Sequence, residues 1–260
     1  MNIVQKEYEI VKNAQINENY YYLQISARDI ASQIVPGQFV SLRVHGRSLL
    51  IRRPFSVYDT DGTRLSIIYK VVGKGTSALT TAQAGESIDV MGPLGNSFEI
   101  KDGAQAILVG GGVGIAPLYL LAKKIGKNVT VLLGAQNKDE LVCQDAFSGI
   151  GCDVRIATDD GSIGEKGLVT ELLKNELAEG SDGKVIYTCG PKGMLKAVSE
   201  IAKDSDVLCQ VSLEEYMACG IGACMGCVVK VVSDEAPDGY EYQRVCKEGP
   251  VFEASTIIWE

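Results

Sequence analysis

Over the first hundred residues, apolar side chains recur in short runs at 20–26, 38–44, 55–59, 64–72 and 87–91, separated by turn pairs such as Pro36-Gly37 and Asp61-Gly62. Short, alternating, β-rich runs punctuated in this way predict a small antiparallel β barrel. From about Ala104 the rhythm changes. Apolar runs at 106–109, 129–133, 154–157, 185–188 and 207–211 alternate with stretches of helical period, which predicts an α/β unit with a doubly wound parallel sheet. Its first helix carries Leu118, Leu121, Ala122 and Ile125 on one face, with Pro117 presetting the first turn and Gly126 ending it. A later helix follows Pro191 and carries Met194, Leu195, Val198, Ile201 and Ala202. Both stripes read as core. The expected division is a barrel over 1–100, an α/β domain over 101–210 and a small C-terminal module over 211–260.

That last segment holds the densest chemistry. Cys219, Cys224 and Cys227 are spaced Cys-x4-Cys-x2-Cys, and Cys246 follows after eighteen residues. The spacing is similar to that of plant-type ferredoxins, where a 2Fe-2S cluster takes three cysteines from one loop and a fourth from elsewhere. Here the fourth lies closer. Gly220, Gly222 and Gly226 fall between the thiols, where a backbone wrapped around a cluster needs unusual dihedrals and amides aimed at sulfur. Two other readings stay open: a structural zinc site, which more often uses Cys-x2-Cys twice, and disulfides, which need an oxidising compartment.

Charge and composition narrow the partners. A net charge of −8 and an isoelectric point near 4.9 leave no basic stripe to displace counterions from nucleic acid. The start Met1-Asn2-Ile3-Val4-Gln5-Lys6-Glu7 has no basic n-region followed by an apolar stretch, and no apolar run is long enough to cross a bilayer. A cytoplasmic protein acting on small molecules or protein partners is expected, with no membrane and no nucleic acid. Of the four remaining cysteines, Cys143, Cys152 and Cys209 read as buried small apolar residues, and Cys189 sits beside a glycine turn.

Several turns have the makings of dinucleotide contacts. Arg52-Arg53-Pro54-Phe55-Ser56 combines a cation for a pyrophosphate, an aromatic face for a flavin ring and a hydroxyl; a strand entrance with solvated arginines is the competing reading. Gly73-Lys74-Gly75-Thr76-Ser77 offers amides and hydroxyls at the start of a helix expected near Ser77. Gly110-Gly111-Gly112-Val113-Gly114-Ile115-Ala116-Pro117 follows a strand and opens a helix, although it lacks the third glycine of the G-x-G-x-x-G pattern. Thr188-Cys189-Gly190-Pro191 makes a second such turn, and the strand-end rule puts both in one crevice. Thr158-Asp159-Asp160-Gly161 adds carboxylates at a third strand end, which would repel a 2′-phosphate and favour NAD over NADP.

With these elements in order, residues 1–210 resemble the ferredoxin-NADP reductase superfamily through Arg53-Pro54-Phe55-Ser56, Gly75-Thr76, the 110–117 turn and Cys189-Gly190-Pro191. Glu214-Glu215-Tyr216-Met217-Ala218-Cys219-Gly220-Ile221-Gly222-Ala223-Cys224 and Val245-Cys246-Lys247-Glu248-Gly249-Pro250-Val251-Phe252 are similar to the electron transfer subunits of class 1B dihydroorotate dehydrogenases. This resemblance implies an FAD-binding barrel, an NAD-binding domain and a 2Fe-2S module. It also implies an FMN-containing catalytic partner in a two-plus-two heterotetramer.

Residue by residue, the resemblance implies that Arg53, Pro54, Phe55 and Ser56 hold FAD, with Arg53 on phosphate, Phe55 against the ring and Ser56 near the reactive nitrogen. Ile68, Tyr69 and Lys70 add contacts, and Gly75 and Thr76 meet the pyrophosphate. Many superfamily members have tyrosine where this chain has Phe55, so stacking survives without the hydroxyl. Gly111, Gly112, Gly114, Cys189 and Gly190 fall at the NAD site, where Cys189 is either close to the nicotinamide or simply packed. Cys219, Cys224, Cys227 and Cys246 are implied as the cluster ligands.

The activity implied is that of an NAD-linked flavin and iron-sulfur oxidoreductase subunit in pyrimidine biosynthesis, with no acid-base catalytic residue of its own. Electrons from the partner's FMN would pass through the cluster and FAD to NAD. Dihydroorotate oxidation itself would need the partner. The lone His45 reads as a surface loop residue. Reductase subunits of NADPH-ferredoxin, sulfide or hydrogenase systems would share the chemistry with other partners. A nonenzymatic redox sensor or zinc-stabilised interaction subunit is the reading from another class.

Overall fold

The computed structural model describes residues 2–44 and 50–259; His45 lies outside them. The N-terminal half-barrel is a curled antiparallel sheet. Its strands are β1 (Val4–Gln15), β2 (Tyr20–Ile25), β3 (Phe39–Arg43), β4 (Arg53–Ser56), β5 (Asp59–Thr60), β6 (Leu65–Lys70) and β7 (Ser87–Leu94), in the spatial order β4-β3-β7-β1-β2-β6-β5. Strand β1 serves both halves. Residues 4–9 pair with β7, residues 10–15 pair with β2, and an irregularity between Ile10 and Lys12 lets the strand bend from one to the other. Leu23, Ile25, Leu42, Leu65, Ile67 and Val90 fill the interior.

The sequence pattern did not mark β1, the longest strand, because most of its side chains are wet: only Ile10 is fully buried. The expected run at 55–59 is broken into β4 and β5. Helix α1 (Arg28–Ala31) is a single turn, and α2 (Lys74–Leu79) starts three residues before the expected Ser77. Thr76 explains the earlier start. Its hydroxyl oxygen accepts from the Val72 and Gly73 amides at 2.9 and 3.2 Å and so caps the helix.

The second sheet contains β8 (Gln105–Gly111), β9 (Val129–Ala135), β10 (Asp153–Thr158), β11 (Glu165–Lys166), β12 (Lys184–Cys189) and β13 (Leu208–Ser212), all parallel. Side-chain alternation divides its strands between two cores. Leu108, Val131, Leu133 and Tyr187 pack with α3 (Ala116–Ile125) and with Phe147 of α4 (Gln144–Gly149). Ile107, Val109, Leu132 and Ile186 pack with α5 (Val169–Ala178) and α6 (Lys192–Asp204). Helix α3 runs as expected, ending at Gly126 with φ of 82°. Cys209 is buried, but Cys143 and Cys152 are only half-buried at the edge of their cluster.

Beyond β13 lie the hairpin β14 (Val228–Val232) and β15 (Tyr240–Arg244), then β16 (Val251–Glu253). Strand β16 runs antiparallel to β13 and finishes the edge of the parallel sheet, giving the order β11-β10-β9-β8-β12-β13-β16. Cys227, Val231, Val245, Cys246 and Phe252 share a core with Ile107 and Val211 of the sheet and with Phe39 and Leu94 of the barrel. The cysteine-bearing segment is therefore sewn into both larger units. Asn96 makes one stitch, its amide donating to the Glu248 and Val251 carbonyls at 2.7 and 2.8 Å.

At the sheet end away from the glycine turns, Glu176 is 2% exposed. Its carboxylate is met by Lys184 at 2.8 Å and Arg155 at 3.0 Å, and Gln105 donates to it at 3.1 Å. Removing one partner of a buried pair leaves desolvated charge uncompensated. Lys184→Met is expected to destabilise the chain by about 3 kcal/mol in urea unfolding, and adding Glu176→Leu should recover most of that. Equal stability of the single variant and the parent would show the network to be dispensable.

Candidate functional site

Two cavities flank the seam between barrel and sheet. The first, of about 540 Å³, is lined by Arg53, Pro54, Phe55, Ser56, Ile68, Tyr69, Lys70 and Thr76 from the barrel, with Glu214, Tyr216 and Met217 across from them. The two arginines separate here. Arg52 is spent on Asp89 at 2.5 Å and on the Ser41 carbonyl at 3.2 Å. Arg53 lies across Gly75: a Cβ there would come within 2.8 Å of its Nε, so any larger residue would push the guanidinium from its present place. Phe55 packs edge-on to Tyr69, with ring centroids 5.8 Å apart. Tyr69 itself stacks on Tyr21 and donates its hydroxyl to Asn13 at 3.1 Å, which commits its polar end to the barrel.

The second cavity, of about 660 Å³, opens at the C-terminal ends of β8, β9, β10 and β12. Gly111, Gly112, Gly114 and Gly190 line it, so the two glycine turns share one crevice as the strand-end rule requires. Their backbones interlock. A Cβ on Gly114 would sit 2.5 Å from Gly190 Cα, and one on Gly111 would sit 2.7 Å from Met194 Sδ. Met194 thus belongs to the cavity wall as well as to the helix stripe. Of the acidic turn, Asp159 faces the cavity, while Asp160 accepts the Ser162 amide at 2.8 Å. Cys189 is fully buried and does not line the crevice; burial, with Glu214 nearby, pushes its thiol well above the usual range.

Tyr20, Lys70, Glu140 and Glu214 also line the second cavity, and Lys70 and Glu214 line both. Of these, Lys70 is the one expected from the sequence as a cofactor contact, and Glu214 opens the segment that carries the C-terminal resemblance. Glu214 stands two residues beyond the end of β13, close to where the strand-end rule looks for ligands, so that signal was available. Packing around it pushes its carboxyl above the ordinary range, although the residue keeps surface open to solvent.

From Glu214 the chain continues along the first cavity to the thiol loop. Gly220 and Gly222 adopt φ of 69° and 82°, and Met225 is forced to 56°. These dihedrals aim amides at sulfur. Ala223 N–H donates to Cys219 Sγ at 3.3 Å, Gly222 N–H to Cys246 Sγ at 3.1 Å, and Cys246 N–H to Cys227 Sγ at 3.4 Å. Burial opposes ionisation of Cys219, but amides of Ile221, Cys224 and Ala223 hold its thiol down at about 6. Burial and the adjoining Cys227 push Cys246 up to about 12.

Cys219 contacts Cys224 and Cys246 contacts Cys227, so the thiols stand as two pairs. Among the described residues, no three Cys, His, Asp or Glu side chains close around a single point. Below the loop, Arg244 holds the Gly222 carbonyl at 2.6 Å and is clamped by both oxygens of Glu248.

Comparison with known proteins accounts for all three features. Residues 7–98 match the oxidoreductase FAD-binding domain, residues 108–200 the oxidoreductase NAD-binding domain, and residues 214–258 the iron-sulfur cluster binding domain of dihydroorotate dehydrogenase B. The dihydroorotate dehydrogenase B (NAD(+)) electron transfer subunit of Caldanaerobacter subterraneus subsp. tengcongensis is 45% identical over 86% of this chain and 87% of its own. That of Geobacillus sp. is 41% identical over 98% of both.

This chain belongs to the dihydroorotate dehydrogenase B electron transfer subunit family.

A solved structure described as an NADH-dependent reduced ferredoxin-NADP oxidoreductase, studied for flavin-based electron bifurcation, is 36% identical and superposes with a TM-score of 0.86 over 97% of this chain and 90% of that one. As a member of the family, the chain is an oxidoreductase subunit with FAD-binding, NAD-binding and iron-sulfur cluster binding domains. Its residues fit those groups. The Gly75 cradle under Arg53 leaves space and charge for a phosphate, and the interlocked glycine turns bare backbone toward the second cavity. At the loop, two thiol pairs with amides aimed at sulfur suit a two-iron cluster, in which each iron takes two cysteines. A bound cation would offset the burial and the like-charge crowding with Cys227 that raise Cys246.

No helix among the described residues is long and apolar enough to cross a membrane.

Proposed function

We propose that the chain carries electrons between an FMN-containing, dihydroorotate-oxidising partner subunit and NAD, within pyrimidine biosynthesis in the cytoplasm, in a two-plus-two heterotetramer. The observation that carries this reading is continuity. Glu214 lines both cavities, and the same short segment leads through Tyr216 and Met217 to Cys219, so all three sites share one wall. The working division is 1–100 for FAD, 101–210 for NAD and 211–260 for the cluster.

When bound, the cluster passes single electrons and FAD converts them to the hydride that NAD accepts. The chain's own residues bind and orient. Arg53, Gly75 and Thr76 meet the FAD phosphates, and Phe55 covers the ring with Pro54, Ile68 and Tyr69 beside it. Ser56 donates near the ring's reactive nitrogen, and Lys70 closes the cavity toward the second site. Gly111, Gly112, Gly114 and Gly190 admit the NAD backbone, and Cys189 supports the second turn from beneath. Asp159 faces the adenosine ribose and selects NAD over NADP by charge. Cys219, Cys224, Cys227 and Cys246 ligate the cluster. Exposed Cys224 shares its loop with exposed Ile221 and Met225, apolar surface suited to the partner subunit.

The test is dihydroorotate-dependent NAD reduction by the complex captured anaerobically on this chain. Activity that vanishes when the FMN subunit is stripped away is the expected result. The solved relative at 36% identity favours one competitor, a reduced ferredoxin-NADP oxidoreductase subunit. A captured complex that ignores dihydroorotate but couples NADH and reduced ferredoxin to NADP would establish that reading instead.

A further inference from the structure

Lys70 is the last residue of β6 and lines both cavities. Its ammonium reaches from the barrel to Glu140, in the turn Lys138–Glu140 of the α/β unit, at 2.6 Å. The same carboxylate oxygen accepts the Tyr20 hydroxyl at 2.5 Å, and the Lys70 ammonium lies 5.5 Å from the centre of the Tyr20 ring. Gly112 brings the glycine turn up to this group: a Cβ there would stand 3.7 Å from the Tyr20 hydroxyl. The Glu140 side chain is 17% exposed. Burial works against its charge, but Lys70 and Tyr20 hold its carboxyl below the usual range.

A carboxylate is thus held in the wall of a crevice whose bared backbone amides suit an anion. Among the described residues it occupies the one cation that the barrel contributes to that crevice; the other lysine in the wall, Lys192, comes from α6. We infer that Glu140 is an internal stand-in for dinucleotide phosphate: it holds Lys70 at the seam while the crevice is empty and yields it when NAD(H) enters. The inference rests on the reading of this cavity as the nucleotide site. Glu140 belongs to one unit and its two partners to the other, so the exchange also releases a tie across the seam. Asn17, which donates to the Asp139 carbonyl at 2.9 Å, keeps the neighbouring tie.

The sign of one substitution decides the matter. If Glu140 competes with the ligand, Glu140→Gln keeps the hydrogen bonds, removes the competing charge and tightens NAD+ binding. If Glu140 positions Lys70, the same change weakens it. NAD+ would be titrated calorimetrically into the oxidised, FAD-loaded protein in its complex, with flavin absorption as the folding control. Kd is expected to fall about fivefold in Glu140→Gln, the scale of a partly exposed ion pair. Lys70→Gln should raise Kd, and Glu140→Gln added to it should change nothing further.

Salt dependence gives a second measure that needs no Lys70 variant. The parent exchanges one ion pair for another and should bind with little dependence, whereas Glu140→Gln forms a net pair and should weaken more steeply as salt rises. A Kd that rises in Glu140→Gln, or a gain that persists without Lys70, overturns the inference. Failure of the FAD-loaded parent to bind NAD+ at all would bring down the nucleotide-site reading, and the inference with it.

Discussion

Cys246→Ser is expected to empty the thiol loop of iron and acid-labile sulfide and to cut dihydroorotate-dependent NAD reduction by at least about 100-fold, because a serine hydroxyl does not supply the thiolate that iron requires. The residue is 3% exposed, accepts the Gly222 amide and contacts Cys227, so the substitution breaks one thiol pair. NADH oxidation toward artificial acceptors should survive with FAD in place, since both cavities are built without Cys246. Cys209→Ser is the matched control. That thiol is 4% exposed in β13 and pushed up to about 12 by burial, so a hydroxyl there costs about 1 kcal/mol or more of stability and no iron. Iron and coupled activity that persist in Cys246→Ser would remove this residue from the cluster.

Spacing sets Cys246 apart from Cys209 as a candidate ligand, and much of the architecture was legible in the same way. Continuous apolar runs found β8, β9, β12 and β13 because a parallel strand covered on both faces has few polar positions to hide it, and the half-buried β10 was found by its shorter apolar run. The opposite condition concealed β1, whose two halves pair with different strands while most of its side chains stay wet. Strand β16 was hidden for another reason. Three residues carry no period, and the pairing of Val211 with Phe252 joins positions far apart in sequence. That pairing makes the thiol segment part of the sheet rather than an appendage.

At the site, the strand-end rule brought the two glycine turns together, and the structure sets Gly75 beside Arg53. What sequence could not convey is how polar groups are shared across the seam. Arg52 and Arg53 are adjacent and chemically identical, yet Asp89 takes the first and leaves the second at the cavity. Glu140 draws its meaning from Tyr20 and Lys70, which belong to different strands of the other unit. Cys189, adjacent to a cavity-lining glycine, points its thiol into the core.

Gly114→Ala carries the second large effect and isolates the nucleotide crevice from the flavin cavity. Gly114 needs no left-handed dihedral, so alanine meets no backbone penalty; the obstacle is space. The new Cβ would stand 2.5 Å from Gly190 Cα and 2.7 Å from the Cys189 carbonyl oxygen; both are backbone atoms, and Cys189 is the last residue of β12 paired with β8. They cannot swing aside as the end of a long side chain would, so the two turns must part. Overpacking of this kind costs about 3 kcal/mol. The NAD+ affinity of the FAD-loaded protein should fall at least about 30-fold, because small displacements of positioning backbone are costly, with flavin and iron contents unchanged. Gly126→Ala provides the comparison, with φ of 82° and open space around its Cβ. It should cost about 1 kcal/mol in backbone strain and leave NAD+ binding alone. Equal NAD+ affinity in both variants would mean that the turns tolerate separation, and that the nucleotide is held by other parts of the wall.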